Sequence, residues 1–172
     1  RNRTEKPAMP VKALYSDGSI YDCINNLPLD KGMSDLNIYS FYTDISDYSL
    51  SADEYTDQII EGYHKVVKSL ESMDCHPAAK SLAIADAKLT CIYGLTFADY
   101  FREDMYRQAH NKSYDEPIDF KPDPITGKQI DRVTDMFDLT DPLLMISEES
   151  NLLMEVNCQS DDPEKYGIVR YL

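Results

Sequence analysis

The sequence predicts a mainly α-helical fold: a helical bundle built on an antiparallel helix hairpin, with an irregular proline-rich loop and extended termini. Three observations carry this. A capped amphipathic stripe runs over residues 51–73. A proline-free run of good helix formers follows from Ala78 to about His110. Helix-start signals recur later, at Asp141-Pro142 and at Ser147. The 172 residues suit one domain of ordinary size, or a small domain plus an arm. That length buries a core without help from metals or disulfides. We divide it into an N-terminal arm or linker over 1–17, a helical domain over 18–160 and a C-terminal tail over 161–172.

The first helix is the clearest. Ser51 with Glu54 makes a capping box, which satisfies backbone N–H groups that the first turn leaves orphaned. Behind it Ala52, Tyr55, Ile59, Tyr63, Val66, Leu70 and Met73 recur at spacings of three and four, and Ile60 and Val67 widen the stripe. That pattern buries one helix face. Glu61 and Lys65 add an i,i+4 pair worth about 0.3 kcal/mol, too little to decide the fold.

Pro77 suits the first turn of a second helix, where no N–H is needed. We read that helix over 78–110, with Leu82, Ala85, Leu89, Ile92 and Tyr93 on its buried side. Gly94 either bends it or lets another backbone approach closely, and Glu103 pairs with Arg107. So short a link to the first helix makes the two an antiparallel hairpin.

The flanks follow the same logic. Residues 19–27 read as a short helix, although Asp17-Gly18 is also a hairpin signal between Leu14-Tyr15 and Ile20-Tyr21. Residues 34–45 read as a helix capped by Ser34, with Leu36, Tyr39 and Phe41 or Tyr42 inward. Pro117, Pro122, Pro124 and Gly127 mark 113–127 as a loop, ordered by Ile118 and Phe120 packing on the hairpin. Helical pattern resumes over 128–137, with Ile130, Val133, Met136 and Phe137. Asp141 caps a short turn starting at Pro142. Ser147-Glu148-Glu149 opens a last helix, with carboxylates at its positive end and Leu152, Leu153 and Val156 as its apolar residues.

Composition excludes whole classes of function. Apolar residues at 42% and charged residues at 28% describe a globular chain rather than a disordered or membrane-spanning one. No apolar run approaches the roughly 18 residues of a membrane-spanning helix, and no signal-peptide core is present. Because the chain starts at Arg1, we read it as a processed, trimmed or excised piece. Seventeen basic residues against 31 acidic ones give a net charge of −14. Nucleic-acid binders gain affinity by neutralising phosphates, so this balance argues against one, and against docking on an anionic membrane. The charge is uneven: residues 1–14 carry +3 and residues 115–164 carry −11. We read the first as an arm and the second as a solvated face.

The reactive residues lack the spacings that chemistry requires. Cys23, Cys75, Cys91 and Cys158 form no C-x-x-C, which excludes a thioredoxin-type centre and a zinc knuckle. Cys91 reads as a small core residue, and Cys75-His76 as a turn at a helix start, where a dipole can activate a thiol. A single disulfide, if formed, is expected between Cys23 and Cys158, where it closes the longest loop. His64, His76 and His110 offer no helical metal pair, and His64 flanks a buried stripe. Asp115, Glu116, Asp119 and Asp123 are interrupted by prolines and do not match a calcium loop. No catalytic residue, cofactor or metal site is therefore expected. Thirteen tyrosines and no tryptophan leave two readings open: half-buried helix-interface residues, or a binding groove built from Tyr39, Tyr42, Tyr48, Tyr55, Tyr63, Tyr93, Tyr100 and Tyr106.

Four segments recur in a familiar order: Ser51-Ala52-Asp53-Glu54-Tyr55, Arg102-Glu103-Asp104-Met105-Tyr106-Arg107-Gln108-Ala109, Ile118-Asp119-Phe120-Lys121-Pro122 and Leu139-Thr140-Asp141-Pro142-Leu143-Leu144. Over roughly residues 35–160 the chain resembles the helical middle region of TlpA-like thioredoxin-family proteins of the bacterial cell envelope. In that family the helical segment precedes a C-terminal thioredoxin-like domain, whose C-x-x-C carries the chemistry. This chain has no such pair, so no catalytic position is carried over. The resemblance implies a periplasmic or envelope location and a non-catalytic accessory role, positioning a redox domain or recognising a protein partner. A stand-alone cell-surface binding protein with a tyrosine-lined groove is the alternative. An enzyme with an unmotifed carboxylate site ranks last.

Overall fold

The structure is a computed structural model that describes residues 40–74 and 77–145. Over these residues the chain is mainly helical and contains no strand. Helix α1 spans Ala52–Ser72, α2 spans Pro77–Thr96, α3 spans Ala98–Ala109 and α4 spans Gly127–Thr134. Single 3-10 turns cover Phe41–Asp44 and Pro142–Met145.

Helix α1 starts where the capping box placed it. The Ser51 N–H donates to Glu54 Oε2 at 2.9 Å, and the Glu54 N–H donates back to Ser51 Oγ at 3.3 Å. Its buried residues are the predicted stripe from Ala52 to Leu70, with Thr56 added. Thr56 is accommodated because its hydroxyl donates to the Ala52 carbonyl at 2.7 Å.

Helices α1 and α2 pack with opposite chain directions. Lys80 Nζ donates to the Glu71 carbonyl at 2.9 Å near one end, and the Tyr55 hydroxyl donates to the Gly94 carbonyl at 3.4 Å near the other. The one-sided stripe expected for α2 is incomplete. Ala83, Ala87, Thr90 and Cys91 are buried together with Ala85, Leu89, Ile92 and Leu95. Helix α1, α4 and both 3-10 turns pack against it. Helix α2 is thus covered on several sides and holds the centre of the described residues.

The long helix expected over 78–110 is in fact two. Helices α2 and α3 meet at an angle of 67°. The bend falls at Phe97 (φ −101°, ψ 14°) and not at Gly94. The Phe97 N–H still reaches the Tyr93 carbonyl at 3.0 Å, and the Phe101 N–H reaches the Phe97 carbonyl at 3.0 Å. The backbone turns without leaving these two donors orphaned, which is why no proline or glycine marks the place. Thr96 Oγ1, beside the bend, is buried without a hydrogen-bond partner among the described residues.

Gly94 serves the other role open to it. A Cβ there would lie 2.7 Å from Tyr42 Cβ and 2.9 Å from Ile59 Cδ1. A Cβ on Gly62 would lie 2.7 Å from the Phe41 ring. The first 3-10 turn thus lies across α1 and α2, resting on two residues that have no side chain. This turn is all the helix that residues 40–45 contain, in place of a regular helix running to 45; Ile45 is already extended. Both Phe41 and Tyr42 point inward, the first buried and the second half-buried.

Helix α4 ends three residues short of the expected 137, and Met136, beyond its end, is 40% exposed. Ile130, Val133 and Phe137 are buried. Asp141 caps the second 3-10 turn, its Oδ1 accepting from the Leu143 N–H at 3.0 Å. The readings that fall on 1–17, 19–27, 34–39, Cys75-His76, Ser147 onward and 161–172 lie outside the described residues. So do Cys23 and Cys158.

Candidate functional site

Helix α3 carries the most polar chemistry in the described chain, and two arginines organise it. Arg102 is 1% exposed. Its Nη1 donates to the Asp123 carbonyl at 2.6 Å, its Nη2 donates to the Leu50 carbonyl and its Nε to the Tyr48 carbonyl at 3.4 Å. The guanidinium also lies 5.5 Å from the centroid of the Tyr55 ring, with the Asp99 carboxylate at 3.7 Å. One fixed fork thereby ties the segment before α1 to the proline-rich loop. The same loop returns a bond to α1: Asp123 Oδ2 accepts from the Ala52 N–H at 2.8 Å, at the positive end of that helix.

Arg107 repeats the device one turn and a half further on. Its Nη2 donates to Glu103 Oε1 at 2.9 Å, and its Nη1 to the carbonyls of Ser113 at 2.6 Å and Glu116 at 2.9 Å. The expected Glu103–Arg107 pair exists, but its partner is a loop anchor rather than a surface cation. Sequence reasoning missed both anchors. The signal was present: Ala98, Arg102 and Met105 fall at helical spacing on one stripe, which places Arg102 where an apolar residue belongs.

Aromatic rings fill the space around these arginines. Tyr106 lies between His110 at 4.1 Å and Phe120 at 4.7 Å, both stacked, and Tyr48 meets Tyr106 edge-on at 5.3 Å. Phe120 therefore packs on α3, within the expected hairpin's second arm. A second group joins Tyr42, Tyr93, Phe97 and Phe101, with Tyr42 stacked on Phe101 at 4.7 Å. Tyr55 and Tyr63 are core residues, and Tyr42, Tyr48, Tyr93 and Tyr106 are half-buried. For these six, the helix-interface reading of the tyrosines holds.

Tyr100 and Tyr114 do not fit it. They are 58% and 66% exposed. The chain leaves α3 through Asn111, at φ 50°, where the Lys112 N–H reaches back to the Arg107 carbonyl at 2.8 Å and the Asn111 N–H to that of Gln108 at 3.3 Å. This is a Schellman motif with asparagine in the left-handed position. The reversal brings Tyr114 back beside α3, where its hydroxyl donates to Asp104 Oδ1. Asp104 Oδ2 accepts from Gln108 Nε2 at 2.7 Å. The bonded carboxylate, with the Tyr100 hydroxyl as a second partner, pushes the Tyr114 phenol up to about 12.

The other candidates are dispersed. Cys91 is a free thiol, fully buried, and burial pushes its ionisation far above the usual range. His64 is exposed, beside Tyr63. Asp115, Glu116 and Asp119 are exposed while Asp123 serves as a cap, and no group of three metal-binding side chains occurs among the described residues. Asp53 bonds Lys128 and Gln129, and Asp57 pairs with Arg132, so these carboxylates join α1 to α4.

Over the described residues, fold and site together define a mainly helical bundle with architectural arginines and an exposed tyrosine–carboxylate face. Comparison with protein-family models, with curated proteins and with solved structures gives no match.

Proposed function

We propose that the chain is a non-catalytic helical module that works by contact with another protein domain. One observation carries this reading: the polar side chains of the described core are committed to architecture, while rings that could contact a partner stay outside. Arg102 and Arg107 hold loops, Cys91 is sealed in the core, and Tyr100 and Tyr114 face solvent. The resemblance to the helical region of TlpA-like envelope proteins supports a finer version, an accessory domain beside a thioredoxin-like redox domain in the periplasm or envelope. The exposed Tyr100 on α3, with Tyr114 returning beside that helix, favours a second version, a stand-alone cell-surface binding protein, whose contact surface is the same. Reduction of insulin by dithiothreitol in the presence of the chain tests the shared claim. Turnover should stay at background. Turnover well above it, lost in Cys75→Ser, would overturn the contact-module reading.

A further inference from the structure

We propose that Tyr100, Asp104 and Tyr114 form the docking surface for an arginine- or lysine-bearing segment of a partner protein. This deepens the contact-module reading and rests on it. Tyr100, Asp104 and Gln108 stand at i, i+4 and i+8 on α3, so they share one face. Tyr114 joins that face from the following loop through its bond to Asp104. The two largest exposed rings of the described chain therefore bracket one carboxylate.

That carboxylate already accepts two hydrogen bonds. Its partners, the Tyr114 hydroxyl and the Gln108 amide, are neutral donors. Among the described residues no lysine or arginine lies within ion-pair distance of it. The nearby Arg107 is held by Glu103 and two carbonyls, and it already covers one side of the Tyr114 ring at 5.7 Å. A cation approaching from solvent meets the exposed Tyr100 ring, the part of the Tyr114 ring that Arg107 leaves uncovered and one carboxylate, the combination that favours guanidinium and ammonium groups.

The charge of the whole chain selects the occupant. At −14 it repels a second copy of itself, a nucleic acid and an anionic membrane, and it attracts a basic segment over a longer range.

Titration of the full chain with a peptide alternating arginine and glycine tests this, with a glutamate–glycine peptide as the matched control. Binding should be seen only with the arginine peptide and should weaken as salt rises. Asp104→Asn combined with Tyr100→Ala should weaken it about tenfold. Asp119→Asn, which removes the same charge from an exposed position in the proline-rich loop, should change it less than about twofold. Both altered side chains of the double variant are on the surface, and circular dichroism verifies its fold. Asp104→Asn alone provides a second, milder variant, expected to lose part of the same affinity. Equal losses for Asp104→Asn and Asp119→Asn, or no binding by the unaltered chain, would overturn the docking surface. Insulin turnover at background in that event leaves the contact-module reading standing, so the two claims fail separately.

Discussion

Arg102 sets the residue scale. Its guanidinium meets three backbone carbonyls from two loops in a site closed to water. Replacing it by methionine keeps the volume but leaves those carbonyls without a donor, at a cost of about 3 kcal/mol. Arg102→Lys should cost nearly as much, because one ammonium cannot span the same fork. Urea unfolding checks both, and losses under about 0.5 kcal/mol would show that the loops do not depend on the anchor. Tyr114 gives a spectroscopic check at the same scale. Its phenol, held up near 12 by the bonded Asp104, should fall toward the ordinary 10.0 in Asp104→Asn. Tyrosinate absorbance during alkaline titration reads the change, and an unchanged curve would deny the bond. Of these residues the sequence disclosed only the Glu103–Arg107 pair, by its spacing. What a buried arginine bonds to depends on which loops return to it, and no local pattern encodes that.

At the element scale, caps and stripes were legible and the bend was not. Ser51 and Glu54 announce α1 because a capping box is a local, four-residue device. Ser51→Ala should cost about 1 kcal/mol, read from the thermal midpoint. Gly94 was legible as a close-approach site or a bend, and packing selects the first. Adding a methyl there pushes against Tyr42 Cβ, which is fixed to its backbone, and against Ile59. Gly94→Ala should therefore destabilise by about 1–3 kcal/mol despite alanine's better helix propensity. A gain in stability would mean that the 3-10 turn does not lie on α2. The 67° bend at Phe97 escaped the sequence because the run from Ala78 to His110 contains no breaker but Gly94. Contacts made after the bend, chiefly those of Arg102 and Tyr106, hold α3 in its direction.

For the whole molecule, acidity shapes stability. Asp53 and Glu54 lie below their ordinary values of 3.8 and 4.5, Asp53 through Gln129 and Lys128 and Glu54 through Ser51. Asp47 and Asp138 are lowered in the same way by Ser49 and Thr140. A carboxylate with a lowered folded value stabilises the fold above its ordinary value and loses that contribution as pH falls through the folded one. Asp99, raised by burial, acts in the opposite direction. The urea midpoint should accordingly hold down to about pH 4.5 and decline below it. An unchanged midpoint at pH 3 would contradict these bonds. In the alkaline range burial raises Tyr55 and Cys91, which stabilise the fold while neutral, and stability should fall as pH climbs past 10.

Composition made the helical class and the acidic surface legible, because both are averages over many residues. The central place of α2 was only half legible. Ala83 and Ala87 lie off the expected stripe, yet they are buried because neighbours cover α2 from several sides. That enclosure makes Cys91 part of the architecture. A single-thiol chain, with Cys23, Cys75 and Cys158 replaced by serine, tests it most directly. Ellman's reagent should find no reactive thiol in the native protein and one equivalent after guanidinium unfolding. Rapid labelling of Cys91 in the native state would contradict the enclosure of α2 and the reading built on it.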